Sequence, residues 1–132
     1  MHHPMEASQI AHSDSEPLKD LLTPLLVAPG SVDLVLTGHN HVYERRKIRD
    51  GVQHITIGNG GALSHGTFEE DPNRVVGFNE ESCFGWMEFS AGEIHFRAVS
   101  GIGGGVDDVI LRRTNDATRL VAIDMRSRPS SE

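Results

Sequence analysis

The sequence predicts an α/β fold in which one amphipathic helix leads into a buried strand and hairpins form most of the remainder. Leucines recur with helical spacing over residues 16–27, and a short apolar segment follows at 32–37. Beyond that segment, strand-like stretches alternate with Asp-Gly and Ala-Gly pairs, which are typical of tight turns. Glycine is abundant, with 14 residues, whereas aromatic residues make up only 5%. This balance favours short strands over a helical bundle, and 132 residues allow one domain with a modest core.

The predicted helix covers residues 16–27, where leucines stand at i, i+3, i+4, i+7 and i+8 and therefore share one face. Ser15 has the hydroxyl side chain that suits an N-cap, and Pro17 falls in the first turn, where a missing N–H is harmless. Pro24 should kink the helix or begin a second short turn, because it removes a backbone donor. The Pro-Gly pair at 29–30 should end the helix.

Residues 32–37 predict a short strand, since β-branched and aliphatic side chains stand there between turn signals. We expect this strand to be parallel to its neighbour and covered on both faces, as in half of a βαβ unit. Residues 45–58 predict a hairpin around the Asp-Gly pair at 50–51, because that pair readily takes the positive φ angles of a two-residue turn.

A second hairpin is predicted around the Ala-Gly pair at 91–92, between strands at 84–89 and 93–99. A third strand of this region is predicted at 106–113 after a Gly-rich turn. Residues 58–82 are rich in Gly, Asn, Asp and Glu, and predict a long, mobile loop.

Composition narrows the classes of function. The formal charge is −7 and the pI about 5.5, so no basic stripe could track a phosphate backbone, and we expect no nucleic-acid partner. The apolar segments are too short to span a bilayer, so we expect no membrane partner. Cys83 is the only cysteine, which excludes an internal disulfide and a cysteine-built zinc finger. A small phosphorylated substrate is compatible with an acidic chain if metal cations supply positive charge locally.

Two of the eight histidines occur in the motif Gly-His-Asn-His at 38–41, directly after the predicted strand. Ligands of open α/β sheets bind beyond the carboxyl ends of the strands. Imidazoles at i and i+2 on a tight loop, here His39 and His41, can bind Zn, Fe or Mn, and Gly38 lets the backbone turn closely. The pair alone leaves two alternatives open, a metal site or two exposed polar loop residues.

The order of motifs along the chain resembles that of the calcineurin-like metallophosphoesterases. The tripeptide His-His-Pro at 2–4 matches the H-x-P motif of that family, and residues 38–41 match its G-H-x-H motif, with a helix and a strand between the two. His12, ten residues after the first motif histidine, looks like a feature of the purple acid phosphatase branch. Further segments are similar to that branch at positions 43–45, 55–61 and 84–89. The likeness extends over about residues 1–113.

This resemblance implies an α/β fold that is the C-terminal half of a metallophosphoesterase-type two-sheet β-sandwich flanked by helices, in four αββα layers. Residues 1–126 would form this portion of the domain, and residues 127–132 a disordered tail. The implied activity is that of a metal-dependent phosphoesterase of the acid phosphatase kind. Such a hydrolase cleaves phosphate esters with a metal-activated hydroxide.

The resemblance also implies roles for individual histidines. His2 and His39 correspond to ligands of the divalent metal, and His41 corresponds to a ligand of the other metal, which is ferric in the purple enzymes. His12 corresponds to an outer histidine that contacts substrate phosphate or protonates the leaving group, and is the implied catalytic residue. His3, between the ligand and the proline, is expected to be a bystander.

The family motifs that carry carboxylate ligands, D-x-G or D-x-H, G-D-x-x-Y and G-N-H-[DE], do not occur in the chain. In the family they precede H-x-P, so a truncated domain with little activity of its own is expected. The complete domain holds two metal ions, Fe with Zn, Mn or Fe, and at most one is expected here. The expected partners are a phosphate-ester substrate and either the missing N-terminal half or a second copy. Two alternatives stay open, a non-catalytic metal-binding remnant and a β-rich interaction module.

Overall fold

Two four-stranded β-sheets pack face to face in the computed structural model, and one helix flanks the first sheet. The structure describes residues 1–8, 16–28, 32–63, 67–114 and 120–126. The α/β composition with mostly antiparallel sheets agrees with the prediction at this coarse level. In chain order the elements are α1 (Glu16–Leu26), β1 (Leu34–Thr37), β2 (Tyr43–Arg46), β3 (Gln53–Ile57), β4 (Arg74–Phe78), β5 (Cys83–Ser90), β6 (Glu93–Ser100), β7 (Gly105–Arg113) and β8 (Leu120–Asp124).

The first sheet has the strand order β1-β3-β2-β4 and contains a parallel pair of strands. β1 runs parallel to β3, whereas β2 pairs antiparallel with both β3 and β4. The parallel pairing predicted for residues 32–37 is therefore confirmed. Val35 and Thr37 are buried on one face of β1, but Leu34 and Leu36 on the other face are only half-buried. The prediction that both faces of β1 are buried thus holds for one face only.

A two-residue turn joins β2 to β3, as the Asp-Gly pair predicts. Arg49 and Val52 exchange two backbone hydrogen bonds, of 3.0 and 2.9 Å. Asp50 has a φ of 50° and Gly51 a φ of 78°, the two positive values of a type I′ turn. The handedness of this turn matches the twist of the flanking strands. The register shifts by one residue between the turn, where Arg49 pairs with Val52, and the strands, where Arg45 pairs with Ile55.

The second sheet is an antiparallel meander in which the strands follow one another in the order β5-β6-β7-β8. The predicted hairpin at 91–92 and the predicted third strand are both present. Gly92 has a φ of 79° at the turn, where a side chain would be strained.

The core lies between the inner faces of the two sheets. The rings of Tyr43 and Phe96 stack with centroids 6.3 Å apart, which joins β2 to β6. A Cβ at Gly85 would come within 3.0 Å of the Phe96 ring, so the absence of a side chain on β5 lets the ring fit. The buried members of this core are Tyr43, Ile55, Val76, Cys83, Phe96, Ala98, Val109, Leu111 and Leu120.

A buried ion pair also crosses between the sheets. The Asp107 carboxylate on β7 is fully buried and accepts hydrogen bonds from Tyr43 Oη (2.5 Å) and from Arg45 Nε and Nη2 (2.6 and 3.0 Å) on β2. Arg45 Nη2 also donates to Asp124 at 3.1 Å. Burial and the neighbouring Asp107 charge raise the pKa of Tyr43 well above its usual range. Hydrogen bonds from Arg126 outweigh burial and lower the pKa of Asp124.

The helix α1 continues through Pro24 to Leu26 rather than restarting as a second turn. Leu21 and Leu25 of its apolar stripe are 67% and 64% exposed. Leu21 and Leu25 do not line the cavity between this part of the chain and the first sheet, whose lining here is Lys19, Asp20, Thr23, Pro24, Leu26 and Val27. Within the described ranges, no helix has the length and apolar character needed to cross a membrane.

The prediction of a loop over 58–82 was wrong in part, because this segment contains β4, which pairs with β2. Val76 is buried in the core, and Phe78 packs against the core. These two apolar positions are too few to indicate a strand in a sequence whose neighbouring residues are polar. β8 was not predicted either. Three predictions lie outside the described residues, namely the Ser15 N-cap, the helix end at 29–30 and the tail at 127–132.

Candidate metal centre

The candidate site lies at the carboxyl end of β1, where the N-terminal residues run along the strand. The Met1 ammonium donates a hydrogen bond to the Leu36 carbonyl oxygen at 3.0 Å. The Gly38 N–H donates to the His2 carbonyl oxygen at 2.9 Å. These two hydrogen bonds bring residues 1–2 beside the Gly-His-Asn-His loop. Because β1 and β3 are parallel, the loop sits at the edge where α/β folds bind ligands.

The loop itself consists of two consecutive three-residue turns. Asn40 N–H donates to the Gly38 carbonyl and Val42 N–H donates to the Asn40 carbonyl, both at 2.7 Å. His39 is the middle residue of the first turn and has a φ of 61°, whereas the middle residue of the second turn, His41, has no positive φ. A non-glycine residue in the left-handed region is strained, and such strain is concentrated at functional sites.

The turn at His39 brings its ring against the rings of His2 and His3. His39 Nδ1 lies 3.2 Å from His2 Nε2. Ring centroids are 5.0 Å apart for His2–His39, 5.0 Å for His2–His3 and 3.8 Å for His3–His39. The three residues each offer one ligand nitrogen, all within 4.8 Å of one another. His2 and His3 are exposed and His39 is half-buried, so solvent can reach the group.

The membership of this group differs from the sequence prediction in one respect. His2 and His39 come together as predicted, but the third member is His3, which the sequence suggested to be a bystander. His41 is exposed and lies outside the group. His12, the implied catalytic residue, lies outside the described residues. Metal binding by these side chains remains a prediction.

The loop is pressed closely against the end of β3. A Cβ at Gly58 would lie 2.1 Å from the Asn40 carbonyl oxygen, so only glycine allows this approach. Asn40 is 1% exposed, and among the described residues its side-chain amide oxygen and nitrogen have no hydrogen-bond partner. Leaving a buried polar group unpaired costs about 1–3 kcal/mol. Asn40, between the two motif histidines, therefore lowers the stability of the fold.

Asn59 follows the same edge but has a structural role. Its Nδ2 donates a hydrogen bond to the Glu81 carbonyl oxygen at 2.8 Å, and its Oδ1 accepts a hydrogen bond from the Cys83 thiol at 3.0 Å. Burial raises the pKa of the Cys83 thiol despite this hydrogen bond. These contacts make Asn59 a buried anchor for the turn.

The Tyr-Glu-Arg segment after the motif likewise has structural partners. Glu44 is 1% exposed, accepts hydrogen bonds from Ser8 N and Oγ at 3.1 and 3.0 Å, and pairs with Arg46 at 2.6 Å. These contacts fasten the N-terminal segment to the outer face of the first sheet and so help to hold His2 and His3 in place. The Ser8–Glu44 contact could not be predicted from the sequence, because its partners lie 36 positions apart in the chain.

The donor set fits one transition-metal ion. Two imidazole nitrogens on a tetrahedral Zn²⁺, at bond lengths of about 2.0–2.1 Å, lie about 3.3 Å apart, close to the 3.2 Å between His39 and His2. Without an ion, the same nitrogens can share one N–H···N hydrogen bond. No Asp or Glu of the described residues joins the group, so these residues do not fit a two-metal centre with a bridging carboxylate.

Comparisons with known proteins support the fold alone. Neither a protein-family model nor a curated protein sequence matches the chain. A similar solved structure is GAP50, the anchor in the inner membrane complex of Plasmodium, with a TM-score of 0.56 and 17% identity over 96% of this chain. The chain spans 36% of the length of that protein. A likeness at such low identity carries no information about the site, because one fold hosts many functions.

Proposed function

We propose that this chain supplies the histidine half of a metal-dependent phosphoesterase site of the purple acid phosphatase type. The observation that carries the proposal is the approach of His2 and His39 to 3.2 Å across 37 positions of sequence. Two separate segments, each matching a family motif, thus meet at one point. The domain would comprise residues 1–126 as the C-terminal part of a four-layer αββα phosphoesterase fold.

The architecture supports this proposal at the coarse level. Two sheets pack face to face, one helix flanks the first, and the histidine group lies at the carboxyl edge of its parallel pair. Ligand sites of α/β folds occur at this edge because loops there are held by the strands beneath them.

Each histidine has a proposed task in a complete site. His2 and His39 would hold the divalent ion, and His41, exposed on the same loop, would be available to a second metal. Bound metal ions lower the pKa of water and stabilise charge on phosphoryl oxygens. His12 would contact the substrate phosphate or protonate the leaving group.

Charge explains why the chain alone should be nearly inactive. A two-metal centre carries four or five positive charges, and neutral imidazoles offset none of them. The described group contains three histidines and no carboxylate. We therefore expect the isolated chain to bind at most one ion, and the missing carboxylates to come from another polypeptide segment.

Complementation tests the proposal. A purple acid phosphatase cut just before its H-x-P motif supplies an N-terminal fragment with the carboxylate ligands. Mixed with this chain, Zn²⁺ and Fe³⁺, it should hydrolyse an aryl phosphate, whereas neither part alone should. His39→Ala should abolish the activity, and the control His95→Ala should retain it, because His95 lies on β6 bonded to Asp108. If the two parts demonstrably form a complex but the complex does not hydrolyse the ester, the proposal is contradicted.

The free edge of the second sheet favours a second candidate function, that of a β-rich interaction module. β5 is an edge strand on which Phe84, Trp86 and Phe89 are 53%, 56% and 71% exposed. Exposed apolar edge strands readily pair with strands of other chains. Sedimentation of the isolated protein against its Trp86→Lys variant measures this: loss of self-association only in the variant would favour the module.

A further inference from the structure

The third ring of the histidine group is not explained by the family resemblance. We infer that His3 completes, with His2 and His39, a single-ion site for Zn²⁺ or a similar divalent transition metal, from which His41 is excluded. The inference rests on the proposed function for the place of the site, but it requires no hydrolysis. It assigns a ligand role to a residue that the motif alone marks as a spacer.

Ring geometry supports a shared ion. Imidazoles bound to one tetrahedral ion have centroids about 5 Å apart, given metal–nitrogen bonds of about 2.0–2.1 Å. Both distances from His2, to His3 and to His39, are 5.0 Å. The His3–His39 distance of 3.8 Å is shorter, so the two rings must separate by about 1 Å on binding. Because the His3 side chain is exposed, a small rotation can supply this movement.

The donor chemistry indicates what the site would bind besides the metal. Three histidines with one open position form a ligand set of catalytic zinc sites, in contrast to the closed four-ligand structural sites. Neutral imidazoles leave the full double positive charge on the ion. The open position should therefore attract an anion, and phosphate is the anion that the proposed function supplies.

The backbone holds the three residues ready for an ion. The Gly38–His2 hydrogen bond fixes the N-terminal segment, and the positive φ of His39 turns its ring toward that segment. His41 lies outside this group. The arrangement thus depends on main-chain contacts that a side-chain substitution at position 3 or 41 leaves in place.

Cobalt titration distinguishes His3 from His41. The untagged chain is titrated with CoCl₂ at neutral pH, because four-coordinate Co²⁺ absorbs visible light far more strongly than six-coordinate Co²⁺. One equivalent should bind and give the intense four-coordinate spectrum, and added phosphate should alter it. His3→Ala should weaken binding at least about tenfold, since even outer-shell partners of metal ligands contribute about 10–100-fold. The matched control His41→Ala, also an exposed loop histidine, should bind within about twofold of wild type.

Three results would overturn the inference: no binding by the wild type, binding unaffected by His3→Ala, or binding lost in His41→Ala but kept in His3→Ala. Circular dichroism of both variants checks that the fold is retained. The outcome is independent of the complementation experiment. Cobalt binding through His3 without restored phosphatase activity would leave this site standing and remove the proposed function.

Discussion

Asp107 offers a sharp test of how the two sheets are held together. Its two carboxylate oxygens accept four hydrogen bonds, from Tyr43, twice from Arg45 and from the backbone N–H of Asp108. In Asp107→Asn the amide NH₂ replaces one oxygen, and it would face two donors in either orientation. Of the two carboxylates now bonded to the Arg45 guanidinium, which is 3% exposed, only that of Asp124 would remain, and Asp124 is 35% exposed.

The expected cost of Asp107→Asn follows from this geometry. Breaking a buried ion pair by removing one partner costs about 3–5 kcal/mol, and the remaining Asp124 contact places the value near the lower end. The neighbouring variant Asp108→Asn is the matched control, because the Asp108 side chain is 38% exposed and its ion pair is with His95 at 2.6 Å. Exposed pairs contribute about 0–1 kcal/mol.

Urea unfolding followed by far-UV circular dichroism measures both changes in the free energy of unfolding. Similar slopes for all three proteins would show that the comparison is one of stability. If Asp107→Asn lost less than about 1 kcal/mol, or no more than Asp108→Asn, the ion pair would not hold the sheets together as argued.

Two further predictions concern buried ionisable groups. Tyr43 is the only tyrosine, so the absorbance near 295 nm measures the ionisation of its phenol alone. Because its pKa is raised, Tyr43 should stay protonated in the folded protein at pH values where an ordinary tyrosine ionises. The folded state then holds a proton that the unfolded state releases, so the free energy of unfolding should fall as pH rises above about 10. If the Tyr43 phenol of the folded protein titrated like that of an ordinary tyrosine, the prediction would be contradicted. The Cys83 thiol should react with a thiol reagent at pH 8 far more slowly in the folded than in the urea-unfolded protein, because burial raises its pKa; equal rates would show that it is accessible.

Features specified by neighbouring residues could be predicted from the sequence. The turn at 50–51 depends on the ability of Asp50 and Gly51 to adopt positive φ, and this ability is a local property. The same holds for the turn at Gly92 and for the leucine spacing of α1. β1 was predicted as a parallel strand because its residues form a short, apolar and β-branched run.

Features that depend on distant partners could not be predicted. β4 is a strand because β2 offers it an antiparallel edge, and its own residues alternate too briefly to show this. The identity of the third ring in the histidine group depends on the sign of φ at His39, which the motif does not encode. The Tyr43–Asp107 bond spans 64 positions of sequence, and nothing near either residue indicates it.

The contrast in strand order between the two sheets has a consequence for the kinetics of folding. Every strand of the second sheet pairs with its neighbour in sequence, so each step closes a short loop. In the first sheet β1 pairs with β3, although β2 lies between them in sequence, and β4 pairs with β2, although β3 lies between them. Forming these pairs closes longer loops and costs more loop-closure entropy than forming the pairs of the second sheet. Since local contacts form faster than non-local ones, the meander should assemble first and present the inner face on which the first sheet condenses. The histidine group, carried by the later sheet, would then be among the last parts of the molecule to take shape.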